Sequence, residues 1–130
     1  MAQPNEKSRK FVVDDELIIA STLATILRMN GFDALSFTQP QVALQAAREK
    51  APNLLISDVI MPGISGIDLA ILILKLSPTC KILLFSGQAA TANLLQSARE
   101  RGHDFEVLSK PIHPAEFLQK IKAVSEAVAV

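Results

Sequence analysis

The sequence predicts a doubly wound α/β domain, a parallel sheet with helices on both faces. Three observations predict it. Apolar runs and helix-spaced segments alternate five times along the 130 residues. The central run, Leu54-Leu55-Ile56-Ser57-Asp58, is short, apolar and bounded by turn residues, as suits a strand buried in a parallel sheet. The runs also end on chemistry-bearing residues, at the carboxyl edge where open α/β sheets bind their ligands.

Met1 to Ser8 reads as a flexible lead-in, and the domain is expected over residues 9–130. Lys10 to Val13 is a short strand ending in Asp14-Asp15-Glu16. Glu16 to Met29 then has helical spacing, with Ile19, Leu23 and Ile26 on one stripe. Asp15 is the expected N-cap, and Asn30-Gly31 the stop. Asp33 to Phe37 is a second strand. Thr38 is the expected cap of a helix that holds Pro40 in its first turn and runs to Lys50. Pro52 closes it, and the Asp58 strand follows.

Met61-Pro62-Gly63 is a loop, Ser65-Gly66 starts the third helix and Pro78 ends it. Lys81 to Phe85 is a strand leading to Ser86-Gly87. A helix covers Ala92 to Arg101 and stops at Gly102. Phe105 to Leu108 is the last strand, followed by Ser109-Lys110-Pro111. Pro114 opens the final helix, with Phe117, Ile121, Val124 and Val128 at i, i+4, i+7 and i+11.

Composition excludes several classes. Formal net charge is zero, so no general attraction to nucleic acid or to an anionic membrane is expected. The one cysteine, Cys80, permits no intrachain disulfide and fits a reducing cytosol. The polar N-terminus lacks the apolar core of a signal peptide. The longest apolar stretch, Leu69 to Leu74, is far short of the roughly 20 residues of a membrane span. No Gly-x-Gly-x-x-Gly follows the first strand, which argues against a dinucleotide site.

In a parallel sheet, Asp14, Asp15, Asp58, Ser86 and Lys110 all fall on one edge. Three carboxylates packed together repel, and without compensation their pKa values rise. A hard divalent cation such as Mg²⁺ resolves this, because it takes oxygen ligands and keeps several waters. Lys110 adds a second positive charge and Ser86 a hydroxyl. The set suits a tetrahedral dianion held on Asp58.

These residues resemble those of a bacterial response-regulator receiver domain of the chemotaxis-receiver type. The resemblance rests on Asp14-Asp15 after strand one, Asp58 with Met61-Pro62-Gly63, Ser86 after strand four and Lys110-Pro111 after strand five. It covers essentially the whole chain. It implies a flavodoxin-like (βα)5 fold with strand order 2-1-3-4-5. It implies that Asp58 accepts a phosphoryl group from a histidine kinase or phosphotransfer protein in a two-component phosphorelay. Asp15 would bind Mg²⁺ directly and Asp14 through water, with Asp58 and the Ile60 carbonyl as further ligands. Ser86 and Lys110 would hold the phosphoryl oxygens, and the Lys110-Pro111 bond would be cis. The first helix would be the donor's docking surface. The protein would be cytoplasmic, would catalyse only its own phosphorylation and dephosphorylation, and would signal by contact with a downstream protein. The chain ends with the fifth helix, so no output domain is expected within it.

Three departures stand out. Relatives commonly carry Tyr or Phe where this chain has Val107, so the usual rotating ring is missing. In relatives the side chains at the positions of Ile60 and Gln88 flank the path of attacking water, as the resemblance implies. Ile60 is expected to hinder that water and Gln88 to orient it. The Gly66–Leu76 helix is apolar on two faces: Leu69, Ile73 and Leu76 on one, Ile67, Ile71 and Leu74 on the other. If only one face meets the sheet, the other marks a homodimer or partner contact. The alternative is a receiver-like interaction or dimerisation module that is never phosphorylated.

Overall fold

The computed structural model describes residues 9–87 and 91–128. Five strands, β1 (Arg9–Val13), β2 (Asp33–Phe37), β3 (Leu54–Asp58), β4 (Lys81–Ser86) and β5 (Glu106–Ser109), alternate with five helices. The helices are α1 (Leu17–Met29), α2 (Pro40–Glu49), α3 (Gly66–Leu76), α4 (Thr91–Glu100) and α5 (Pro114–Val128). All strand pairs are parallel, in the order β2-β1-β3-β4-β5. This is the expected topology, and it puts β1 and β3, the strands that end in acids, side by side at the centre.

Strand alternation divides the core between the two faces of the sheet. Val12, Ile56 and Phe85 pack with Leu23, Leu27, Phe117 and Ile121 of α1 and α5. Phe11, Val13 and Leu55 face the other way, onto Ala43 and Ala47 of α2 and Leu69 and Ile73 of α3. A third cluster joins Val59, Ile67, Leu84 and Ala98, with Ile71, Leu95 and Val107 packed against it.

Two caps differ from expectation. The residue before α1 is Glu16, and that before α2 is Gln39; neither makes a side-chain capping bond. Thr38 lies one residue too early. Asp15 likewise lies one residue too early to cap, because the helix starts after Glu16. At the other end of α1, Gly31 has φ +89°, so the Asn30-Gly31 stop works as expected. The last strand begins one residue later than the expected Phe105.

The third helix also differs. It lies between α2 and α4 as well as on the sheet, so both apolar faces find partners. Ile67 and Ile71 join the cluster shared with α4, and Leu74 packs with the α2 side. Leu76, placed by the sequence on the buried face, is instead 45% exposed. The outward apolar strip that motivated a homodimer contact through Gly66–Leu76 is therefore largely covered within one chain. Met1–Ser8, Gln88 and the side chain of Val128 lie outside the described residues.

Candidate functional site

The site is built at the carboxyl ends of β1, β3, β4 and β5. Parallel pairing sets Val13 beside Ser57 and Asp58 beside Phe85. Asp14 and Asp58 therefore leave the sheet from adjacent strands. Asp14 is fully buried, Asp58 nearly so at 9% exposure, and Asp15 is exposed. Carboxylate oxygens of all three lie within 4.8 Å of one another.

Lys110 reaches this cluster from the end of β5. Its Nζ donates to Asp14 Oδ2 at 3.2 Å and to Asp58 Oδ2 at 3.1 Å. Its backbone N–H donates to the Ser86 carbonyl at 3.0 Å, tying the two loops together. The Lys110-Pro111 peptide is cis, as the resemblance implied. Asp14 Oδ1 accepts from the Glu16 N–H at 2.9 Å, which fixes the chain entering α1.

Charge explains the titration. Burial raises the Asp58 carboxyl above the usual range; Lys110 pulls it back and Asp14 pushes it up again. For Lys110, burial works to lower the ammonium, but Asp58 and Asp14 outweigh it and leave it above its ordinary value. The cleft thus draws positive charge, and an ammonium already occupies it. The three carboxylates, with oxygens this close, form a group that could hold a metal ion, and oxygen donors of this kind suit a hard divalent one.

The loop after Asp58 is held by backbone bonds. Val59 N–H donates to the Phe85 carbonyl at 3.1 Å, and Gly66 N–H to the Val59 carbonyl at 2.8 Å. Ser57 Oγ donates to the Asp58 carbonyl at 2.9 Å. Neither Ser57 nor Gly66 stood out in the sequence as a support of Asp58. Their closeness depends on how α3 returns to the strand, which spacing along the chain does not reveal. The side chain of Ile60 is 41% exposed. Beside the site lies an open apolar groove of about 600 Å³, lined by Ile18, Thr22, Leu23, Lys110, Pro111 and Ile112. Ile18 and Leu17 of α1 are 79% and 67% exposed.

Fold and site together define a five-stranded parallel α/β domain with an acidic, cation-drawing cleft at its carboxyl edge. The chain belongs to the response regulator receiver domain family, whose profile matches residues 11–122. It is 29% identical over 117 residues to the DNA-binding response regulator MtrA of Mycolicibacterium paratuberculosis, covering 90% of this chain and 51% of that one. It is 30% identical over 115 residues to the phosphate regulon transcriptional regulatory protein PhoB of Pseudomonas aeruginosa, covering 87% and 49%. The chain thus spans about half the length of these curated relatives. Among solved structures, a CheY-like receiver domain protein of Methanospirillum hungatei superposes with a TM-score of 0.82 at 27% identity, covering 94% and 96%. A two-component transcriptional regulator from Clostridium phytofermentans gives 0.78 at 30% identity, covering 93% and 94%. The chain is therefore a receiver domain of two-component phosphorelay signalling, a domain whose known role is to accept a phosphoryl group on aspartate.

Proposed function

We propose that Asp58 is the phosphoryl acceptor and that a histidine kinase or histidine phosphotransfer protein is the donor. The observation that carries this is the Lys110 ammonium, 3.1 Å from Asp58 Oδ2 and bonded also to Asp14. It places positive charge where an incoming phosphoryl group brings negative charge. One Asp58 oxygen forms the new O–P bond as the donor's P–N bond breaks, and the histidine nitrogen keeps that electron pair. Phosphoryl transfer asks mainly for alignment and charge neutralisation. Lys110 and the Ser86 hydroxyl hold the phosphoryl oxygens. Asp14, Asp15, Asp58 and the Ile60 carbonyl would hold Mg²⁺, which when bound neutralises the charge that gathers at phosphorus.

The test is mass spectrometry after incubation with acetyl phosphate or phosphoramidate, with and without Mg²⁺. Wild type gains one phosphoryl group when Mg²⁺ is present, and Asp58→Asn gains none. Equal labelling of both proteins sinks the assignment of Asp58. No labelling of either favours the module that acts by assembly alone.

The exposed apolar surface of α1, with Ile18 and Leu17 beside the groove, is the proposed docking face for the protein donor. Ile18→Asp is expected to slow labelling by a phosphohistidine protein at least about tenfold and to leave acetyl phosphate labelling unchanged. A parallel loss with both donors contradicts docking there. Ile60 stands at the mouth as an apolar shield, so Ile60→Asn is expected to shorten the phosphoryl lifetime; an equal or longer lifetime refutes the shield. The proposed output is contact with a downstream protein, and the proposed location is the cytoplasm. Among the described residues no helix is long and apolar enough to cross a membrane.

A further inference from the structure

The turn that ends α1 carries chemistry of its own, at the opposite end of the helix from the acidic cleft. Asn30 is followed by Gly31, whereas Asn5, Asn53 and Asn93 precede glutamate or leucine. Glycine has no side chain to shield its own backbone nitrogen. That nitrogen can close an unstrained imide ring on the Asn30 side-chain carbon. Both residues are exposed, so water reaches them. In the folded chain, however, both reacting groups are held. Asn30 Nδ2 donates to the Ile26 carbonyl at 2.8 Å, and the Gly31 N–H donates to the Arg28 carbonyl at 3.1 Å. The first bond keeps the amide turned back along the helix. The second keeps the proton on the nitrogen that would attack. Phe32 N–H donates to the Leu27 carbonyl at 3.1 Å, and the Phe32 ring lies 4.9 Å from the Lys10 ammonium. The turn is thereby fastened to the core as well. Helix ends open more readily than whole domains, and each opening frees both groups.

We infer that Asn30-Gly31 is a self-modification site guarded by the C-terminal cap of α1, where water converts asparagine to aspartate or isoaspartate when the cap opens. The Gly31 nitrogen gives up its proton and bonds to Asn30 Cγ. The Cγ–Nδ2 bond breaks, and its electron pair leaves with ammonia. One water then adds to either carbonyl of the cyclic imide and reopens it, with no oxidant or reductant needed. Neither product can rebuild the cap. Aspartate at position 30 offers an acceptor where the Ile26 carbonyl needs a donor, and it sets negative charge at the negative end of the helix dipole. Arg28, the basic residue of that last turn, directs its Nε–H to the Ala34 carbonyl at 2.8 Å. Isoaspartate routes the main chain through the side-chain carbon, which lengthens the turn and pulls Phe32 away from Leu27 and Lys10. The change is therefore one-way: a chain that has opened at this end is marked and stays loosened.

Two measurements test it. Wild type is held warm in mildly alkaline buffer, with and without denaturing urea. Asn30, Asn53 and Asn93 are followed by peptide mass spectrometry that separates aspartate from isoaspartate. In urea, Asn30 is expected to convert to both products well ahead of Asn53 and Asn93. In buffer alone, its conversion is expected to be at least about tenfold slower. Thermal denaturation then compares wild type with Asn30→Asp, which is expected to melt about 5 °C lower. Conversion of Asn30 in urea no faster than that of Asn53 and Asn93 overturns the site. Equal Asn30 rates in buffer and in urea overturn the guard. An Asn30→Asp protein that melts with wild type overturns the loss of the cap. The labelling arms use wild type alone, so they stand even if Asn30→Asp folds poorly.

Discussion

Gly66→Ala lowers the melting temperature by on the order of 10 °C and reduces phosphoryl uptake from small donors. A Cβ at residue 66 would sit 2.0 Å from the Asp58 carbonyl oxygen and 2.9 Å from Ser57 Oγ. These are fixed atoms. The Asp58 carbonyl already accepts from Ser57 Oγ, and the Gly66 N–H is bonded to the Val59 carbonyl at 2.8 Å. The helix α3 must therefore back away from β3 and pull the loop with it, at a cost of about 3 kcal/mol or more. Asp58 and Ile60 lie at the start of that loop, so the cost falls on the site as well as on stability. Gly31→Ala is the control. It meets nothing within 4 Å, and its cost is confined to the positive φ, about 1 kcal/mol. Thermal denaturation of the two variants checks the claim, and a Gly66→Ala protein as stable as Gly31→Ala contradicts it.

The second large effect lies at the opposite edge of the sheet. Lys10 is 2% exposed; its ammonium has the Asn53 Oδ1 acceptor at 3.2 Å and the ring of Phe32 at 4.9 Å. Burial lowers its pKa to about 8, with a small opposing pull from Cys80. Below pH 8 both folded and unfolded chains carry the charge, and the folded state bears the cost of hiding it. As pH rises past about 8 the folded chain sheds that proton while the unfolded chain keeps it to about 10.5, so stability increases. The full gap corresponds to about 3 kcal/mol.

Cys80 acts in the other direction. Burial pushes its thiol up to about 12 from 9.0. Above pH 9 the unfolded chain ionises this thiol and the folded chain does not, so stability falls. The two effects oppose one another from about pH 9 to 10.5. Lys110 enters only above 10.5, where its raised pKa begins to cost the folded state stability. Urea denaturation from pH 7 to 10 should therefore show stability rising to about pH 9 and then levelling. Lys10→Met should be more stable than wild type at pH 7 and lose the rise. A wild-type profile flat from pH 7.5 to 9, or a less stable Lys10→Met, argues that the ammonium is better accommodated than its burial implies.

The sequence revealed much of this fold because its signals were redundant. Each strand was both an apolar run and the prelude to a polar residue, and Asp14, Asp15, Asp58 and Lys110 were expected together and are together. What the sequence concealed was contact between segments. Lys10 was read only as the first residue of a strand, because nothing near it in the chain says that Phe32 and Asn53 lie beside its ammonium. The faces of α3 were misjudged because a helical wheel assumes one buried side, and this helix has three neighbours. Asp15 was given to a cap because acids favour helix starts. The helix instead starts one residue later, after Glu16.

Val107 shows how an unusual residue is accommodated. It is half-buried and packs in the cluster shared by Val59, Leu84 and Ala98. A rigid aliphatic group here binds α4 to β5 by simple contact area.

The Lys110–Asp14 contact joins residues 96 positions apart in the chain. During synthesis the carboxylates leave the ribosome long before the ammonium that balances them. Until β5 pairs with β4, the nascent domain holds an acid cluster without its lysine. The site is a clasp whose ammonium comes from the last strand's end, so its two ends meet only once that strand is in place.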